Sequence, residues 1–549
     1  MNKLIQIFDN KILSVLTILF IVIIPLYPKF PFIQIPDTYI SIRLEDFLVA
    51  IMTVIFIIQA LRKKVYFNWN FIKLFVAFWA VVIVSFLFNY FIAKTIDFRN
   101  IGILHTLRRI EYMIPFFIAY SALKTEILRH PNLLNKIVDK FISVAIWTVL
   151  LVCIYALGQR SATLFQPLRD NLLWISNNNT GVMHSIFYFL FRFFDFPAVQ
   201  TMNAEFAKGH LLNLTPFSRI SSTFAGHYDL AAFLVFFIPI IAGLIMQGKN
   251  LFRNITTYVL SILTLVLTAS RISFGAFVAS IVLLLVYKRK WKGLILTIFL
   301  TIILMLLNKD MTERFQDMFQ KKRVFENVQT GTVIIDQDLS TSELPAGNQF
   351  VSQTVSVPVL TTKDKQDLTK QLVKKEIEEA KKSGKTMSDN EALSIVESKY
   401  KQLQNFVAKD VIAGDTSLTT RTQIEWPRAI NAFLKNPIIG TGPSSITEST
   451  DGDYFRWLGE TGIIGTGLFM FILGFIWIKS FNISRKINSK ESYLFVAYCA
   501  GLIALFVNAM LIDVFEASKV AFIFWAIAGI FMAYVDSKLP HAKEPKQSL

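Results

Sequence analysis

Apolar runs close to the roughly 20 residues that cross the hydrocarbon core of a bilayer recur along this chain, and nothing else constrains its fold as strongly. Twelve can be placed, at 12–28, 45–61, 70–92, 101–122, 137–157, 229–247, 254–270, 272–287, 291–308, 461–480, 491–512 and 519–536. The chain is 53% hydrophobic and 17% charged over 549 residues, which is the composition of a membrane protein. The expected class is an all-α polytopic membrane protein, for which counting soluble domains by length does not apply.

Lys and Arg outnumber Asp and Glu, 56 to 39. A basic balance can signal nucleic acid, but here the excess flanks the apolar runs, where it sets topology, so no nucleic-acid partner is expected. With the N-terminus placed inside, the inner connections carry Arg62-Lys63-Lys64, Lys124 and Arg129, Lys249 and Arg253, Lys288-Arg289-Lys290, and Arg485-Lys486 with Lys490; the tail carries Lys538, Lys543 and Lys546. Every expected cytoplasmic segment is then basic, and the two long loops, 158–228 and 309–460, fall outside. Cys153 and Cys499 both lie in apolar runs, which argues against a disulfide or a metal cluster. The first run follows Lys3 and Lys11 as a signal peptide would, but Pro25, Pro28 and Pro31 follow it instead of a cleavage site, so it reads as an uncleaved span.

The fourth run contains His105, Arg108, Arg109 and Glu111. Either these charges face a polar interior or the helix begins later, near Tyr112. In the loop 158–228, the aromatic stretch 186–196 is too short to span with Arg192 and Asp195 inside it, and fits an interfacial or re-entrant helix. In 309–460, Val351 to Leu360 alternates as strands do, while 361–410 is charged and helical in pattern. There Ser388 and Glu391 form a capping box for a helix running to about Val407, with Leu393, Ile395, Val396, Tyr400, Leu403 and Phe406 near one face. The expected division is 1–308 with nine spans, the loop 309–460, and 461–549 with three spans and a cytoplasmic tail.

The segment 420–467 concentrates charge with Pro and Gly beside a span. Arg219, Arg271 and Arg421 map to the outer side from three parts of the chain. Arginine suits phosphate because its planar fork donates paired charge-assisted hydrogen bonds and keeps its proton; the same residues also serve as interface anchors or salt-bridge partners. Asp451, Asp453 and His227 could take a proton from an attacking hydroxyl, although Asp at a helix start is also an ordinary cap. Glu460 can orient an arginine. No HExxH, P-loop, GxSxG or paired CxxC pattern occurs, and Gly440-Thr441-Gly442 lacks the continuation of a nucleotide loop.

Taken in order, Arg219 to Phe224, Ser270-Arg271 through Gly275, Arg421 with Trp426, Asn436-Pro437-Ile438-Ile439-Gly440-Thr441-Gly442, and Asp451 through Tyr454 and Glu460 to Gly465 resemble the signatures of the bacterial O-antigen polymerase and O-antigen ligase superfamily. The resemblance covers about 210–480; the insertion 310–410 has no counterpart in it. It implies a GT-C-like fold in the plasma membrane and a metal-independent glycosyltransferase without cofactor. The implied donor is an oligosaccharide on polyprenyl pyrophosphate at the outer face, with a chain-length regulator or a flippase as protein partner. Arg219, Arg271 and Arg421 would hold the pyrophosphate, Asp451, Asp453 or His227 would act on the acceptor hydroxyl, and Trp426, Tyr454 and Glu460 would support them. The ligase branch carries His where this chain has Asp451, and Asn where it has Gly452, which favours the polymerase branch. Three other readings stand beside it: a ligase acting on a lipid or protein acceptor, a transporter of lipid-linked glycans, and a membrane anchor displaying the 310–410 insertion.

Overall fold

A computed structural model describes residues 2–28, 31–34, 41–164, 166–194, 219–306, 321–327, 333–335, 362–382, 387–399, 406–412, 421, 425–446, 451–487 and 489–539. Each of the twelve apolar runs is helical. They are α1 (Asn2–Leu26), α2 (Leu44–Leu61), α3 (Trp69–Phe88), α4 (Arg99–Arg129), α5 (Leu134–Leu164), α8 (His227–Met246), α9 (Leu251–Leu267), α10 (Arg271–Tyr287), α11 (Trp291–Leu306), α15 (Asp453–Lys486), α16 (Ser489–Asn508) and α17 (Ser518–Lys538). Among the described residues seven helices are long and apolar enough to cross a membrane, and four shorter apolar ones accompany them. The fold is that of a helical membrane protein.

The chain divides into two compact units, Met1–Thr312 with Arg428–Leu549, and Glu313–Pro427. The expected loop 309–460 is therefore cut at Pro427: residues 428–460 belong to the helical unit. Within that unit α8 and α17 are the most enclosed helices, whereas α2 and α11 expose Ile51, Val54 and Ile57, and Ile295, Leu296 and Phe299. Apolar exposure on that scale suits helices whose solvent is lipid. Glycines let the central helices approach. A Cβ on Gly529 of α17 would collide with the Phe116 carbonyl of α4, and one on Gly501 of α16 would come 2.5 Å from the Phe236 carbonyl of α8. Rings of α3, α4, α15 and α17 fill the centre: Phe75 lies 4.9 Å from Phe116 and 5.3 Å from Trp525, and Trp457 stacks on Phe469 at 4.3 Å.

α4 begins at Arg99, so His105, Arg108, Arg109 and Glu111 are all helical and a start near Tyr112 is overturned. The loop 158–228 contributes two short antiparallel helices, α6 (Gln166–Asn177) and α7 (Gly181–Phe194), joined through Ser176 and His184 at 3.1 Å. α7 leaves Val182, Met183 and Ile186 exposed. A two-stranded ribbon, β1 (Pro31–Gln34) with β2 (Ser41–Arg43), precedes α2.

The second unit is mixed, not all-α. Its antiparallel sheet has β3 (Lys321–Asn327) between β4 (Val333–Ile335) and β5 (Phe406–Ile412), with Val324 opposite both Ile335 and Lys409. The helices α12 (Thr362–Lys382) and α13 (Asp389–Lys399) pack as a hairpin over Leu368, Leu372, Ala392 and Val396. The capping box is present: Ser388 donates from its backbone N–H to Glu391 at 3.0 Å, and Glu391 N–H returns to Ser388 Oγ at 3.4 Å. The Ser388 N–H and the Ser388 hydroxyl both donate to the Glu391 carboxylate and hold it below its ordinary range. The expected continuation to Val407 is corrected, because Phe406 and Val407 lie in β5, where edge pairing with β3 overrides helical pattern. The buried pair is Ala392 and Val396, not Leu393, while Tyr400, Leu403 and the Val351–Leu360 strand lie outside the described residues.

Gly529→Ala should wedge α4 from α17 and lower stability by about 1–3 kcal/mol, the usual cost of overpacking. A fall in the thermal midpoint of the detergent-solubilised chain checks this; an unchanged midpoint refutes the close approach.

Candidate functional site

Consecutive helices alternate in direction, so one end of the helical unit gathers the C-termini of α1, α3, α5, α9 and α16 with the N-termini of α4, α8, α10, α15 and α17. Cross-links at this end confirm the alternation. Lys519 of α17 donates to the Tyr27 carbonyl after α1 and to the Thr223 carbonyl at 2.8 Å. The Thr223 hydroxyl donates to the Pro25 carbonyl, and Gln159 of α5 exchanges two 2.8 Å bonds with Ser222. The segment 219–226 is thus pinned between three helices, and Ser222 adopts φ 53° within it.

That segment presents Arg219, whose Nη1 lies 3.1 Å from His227 Nε2. A guanidinium only donates, so Nε2 accepts and the imidazole carries its proton on Nδ1. His227 opens α8, whose N-cap is Gly226 and has no side-chain cap. Arg271 opens α10 in the same way: Ala269 turns the chain at φ 52°, and Ser270, the N-cap, donates its hydroxyl to Ser273 at 2.8 Å instead of capping the helix. α8, α9 and α10 run back and forth with short connections and α8 packs on both others, so Arg219, His227 and Arg271 share one end of the unit. A cation at a helix N-terminus opposes the macrodipole, whereas an anion there is favoured by the dipole. Two arginines beside two such N-termini make this end suited to a polyanion.

Beside it lies a buried ionic network. The Arg109 guanidinium, 2% exposed, pairs with Glu460 and with Glu516 Oε1 at 2.8 Å, and stacks 4.4 Å from the Trp457 ring. Glu460 also accepts the Ser444 N–H at 3.1 Å. Arg456 pairs with Asp513 at 2.9 Å, and Asp513 accepts the Gly452 N–H at 3.1 Å. Asp453 is fully buried and accepts the N–H groups of Val514 at 2.7 Å and Phe515 at 3.1 Å. Asp453 is therefore committed to the turn before α17. Glu460 does orient an arginine, but that arginine is Arg109, which is not one of the three expected from the sequence. Tyr454 donates to the Phe506 carbonyl at 2.8 Å and ties α15 to α16. Asp451 sits half-buried just before α15. Arg421, largely buried, and Trp426, which starts α14 (Trp426–Lys435), belong to the second unit.

The turn 436–442 and the start of α15 interlock. Gly462, at φ 62° and ψ −166°, breaks α15. The N–H groups of Ile463 and Ile464, which a continuous helix would bond to Gly459 and Glu460, bond instead to the Pro437 and Ile438 carbonyls at 2.9 and 3.3 Å. The freed Gly459 and Glu460 carbonyls take the N–H groups of Thr441 and Gly442 at 2.9 and 3.0 Å. Two helical bonds become four to the turn. Gly440 and Gly442 have φ of 70° and 97°, and a Cβ on Gly440 or Gly462 would strike the opposing backbone. Ser85 of α3 donates to the Ile439 carbonyl at 2.7 Å, and Asn89, which caps the end of α3, to that of Gly440 at 2.9 Å.

Sequence reasoning missed Asp513, Glu516 and Lys519. The available signal was two carboxylates in a short connection between two apolar spans, with a lysine at the start of the second. It also missed Ser85 and Asn89, which look like ordinary polar residues near a span end. Among the described residues no group of His, Cys, Asp and Glu could hold a metal ion. No protein-family model and no curated protein matches the chain.

Arg109→Met leaves Glu460 and Glu516 buried without their cation and should cost about 3–5 kcal/mol. Gly462→Ala should cost about 1–3 kcal/mol from its left-handed φ, plus the overlap at Ile438. Thermal midpoints measured side by side test both, and a variant as stable as the parent would contradict the corresponding contact.

Proposed function

We propose that the chain is a polysaccharide polymerase that transfers glycan from a polyprenyl-pyrophosphate carrier to a sugar hydroxyl of another lipid-linked unit at the outer membrane face. On this reading the twelve apolar helices all span, the fold is GT-C-like, and both termini are cytoplasmic in the bacterial plasma membrane. The observation that carries the reading is the pairing of Arg219 and Arg271 with the uncapped starts of α8 and α10 at one end of a membrane helix bundle. The opposite end carries Arg62, Lys63, Lys64, Lys249, Lys288, Arg289, Lys290 and Lys538, which supports its being the cytoplasmic one.

The acceptor oxygen attacks the anomeric carbon of the donor, the bond from that carbon to the pyrophosphate oxygen breaks, and the lipid pyrophosphate leaves with the electron pair. Arg219 and Arg271 stabilise that growing charge electrostatically, in a setting where fixed donors act strongly. The hydroxyl proton goes to Asp451 or His227, since Asp453 is occupied by the 514–515 backbone. A pyrophosphate that engages Arg219 releases His227 Nε2 from its present partner. The resemblance assigns Arg421 to donor phosphate or to anchoring, with Trp426 in support. Asp451, where the ligase branch has His, favours the polymerase.

The test gives purified chain polyprenyl-pyrophosphate-linked repeat units from its own host, in nanodiscs. Wild type should build a ladder of longer lipid-linked glycans, and Arg219→Ala and Arg271→Ala should each slow it by about 10²–10³, the scale of losing one donor to a developing anion. Transfer only to an added lipid or peptide acceptor would replace the polymerase by a ligase. No transfer, with flipping of the lipid-linked unit in liposomes, would replace both by a transporter.

A further inference from the structure

At the end of the helical unit opposite the arginine pair, α8, α9, α10 and α11 line a half-open cavity of about 700 Å³, within the roughly 300–1,000 Å³ of small-molecule sites. Its walls are apolar, formed by Ile245 of α8, Ile255 and Val259 of α9, Leu285 of α10, and Leu296 and Leu300 of α11. The polar groups in the wall satisfy one another: the Tyr258 hydroxyl lies 3.1 Å from that of Thr297. The cavity interior offers nothing to a polar ligand and suits an alkyl chain.

Its rim is different. The α10–α11 turn is held by Arg289 N–H on the Val286 carbonyl at 2.9 Å and Lys290 N–H on the Leu285 carbonyl at 2.8 Å, with Arg289 at φ 53°. It sets Arg289, Lys290, Trp291 and Lys292 at the cavity, all exposed. Among the described residues none of these three cations makes an ion pair, whereas other cations at this end do: Lys249 binds Asp139 at 2.6 Å and Lys538 binds Glu491 at 2.9 Å. Trp291 has the amphipathic ring favoured at the membrane–water interface.

We propose that this cavity binds an anionic glycerophospholipid of the surrounding leaflet, with one acyl chain in the cavity and the phosphate on Arg289, Lys290 and Lys292. Charge complementarity selects the headgroup and the apolar walls select a lipid over a soluble anion. Basic pockets between spanning helices recognise acidic lipids in this way. The site is separate from the arginine pair and does not depend on the reaction proposed for it.

The test is native mass spectrometry of the full chain in detergent, titrated with phosphatidylglycerol and with phosphatidylcholine of the same acyl chains. Phosphatidylglycerol should be retained at one site, more tightly than phosphatidylcholine. Removing all three cations (Arg289→Ala, Lys290→Ala, Lys292→Ala) should weaken it at least tenfold, given that each basic residue contributes about fivefold near a membrane surface. Val259→Trp, which fills the cavity and keeps the charge, should abolish retention while gel filtration and thermal midpoint show a folded chain. If Val259→Trp binds as wild type does, the attraction is a diffuse surface effect and the cavity is not a lipid site. Equal retention of phosphatidylcholine, or full retention by the triple variant, overturns the headgroup assignment.

Discussion

A guanidinium enclosed with its counter-ions among helices cannot be moved cheaply, and Arg109 is such a group. It holds Glu460 of α15 and Glu516 before α17 from its place on α4, with Trp457 against its face. Taking any one of these elements away leaves a charge in a low-dielectric interior, a loss larger than the modest net value of the pair itself. The starts of α15 and α17 are therefore fixed with respect to α4. The secondary contacts of Asp453 with the 514–515 amides and of Arg456 with Asp513 follow from that placement.

The interlock at Gly462 uses the same region in a different way. Breaking α15 there exposes two carbonyls and two N–H groups that hydrocarbon would not tolerate unpaired. The turn 436–442 supplies complementary groups in the same number, so a helix break becomes a docking site for a loop. This explains in physical terms why an Asn-Pro turn with two glycines and a Gly-Glu-Thr-Gly stretch occur together in the chain: each contains the backbone that satisfies the other. Glu460 and Ser444 meet at this polar end of the bundle, and the arginines at the starts of α8 and α10 lie on the same end.

The two ends of the helical unit divide the chemistry between them. One has uncapped helix starts with Arg219 and Arg271, which favour a polyanion. The other has basic turns and an apolar cavity, which favour acidic lipid. The second unit, with its three-stranded sheet and helical hairpin, shares neither the hydrophobicity nor the pattern of the rest.

Hydrophobicity over about 20 residues is a local property, and for that reason the sequence by itself determined the helices, the basic turns that alternate between them, the capping box at Ser388 and the break in composition around the second unit. The tenth apolar helix starts at Asp453, before the expected 461, because hydrophobicity marks only its apolar part while its charged first turns are paired inside the unit. Burial and pairing across hundreds of residues are not local. That α4 begins at Arg99 was decided by carboxylates at 460 and 516, without which Arg109 would have no place in the interior. That Asp453 is an internal ligand rather than a surface base, that 428–460 joins the helical unit, and that Phe406 lies in a strand were likewise decided only when distant segments met, since backbone groups and charges removed from water take whichever partners the tertiary structure brings to them.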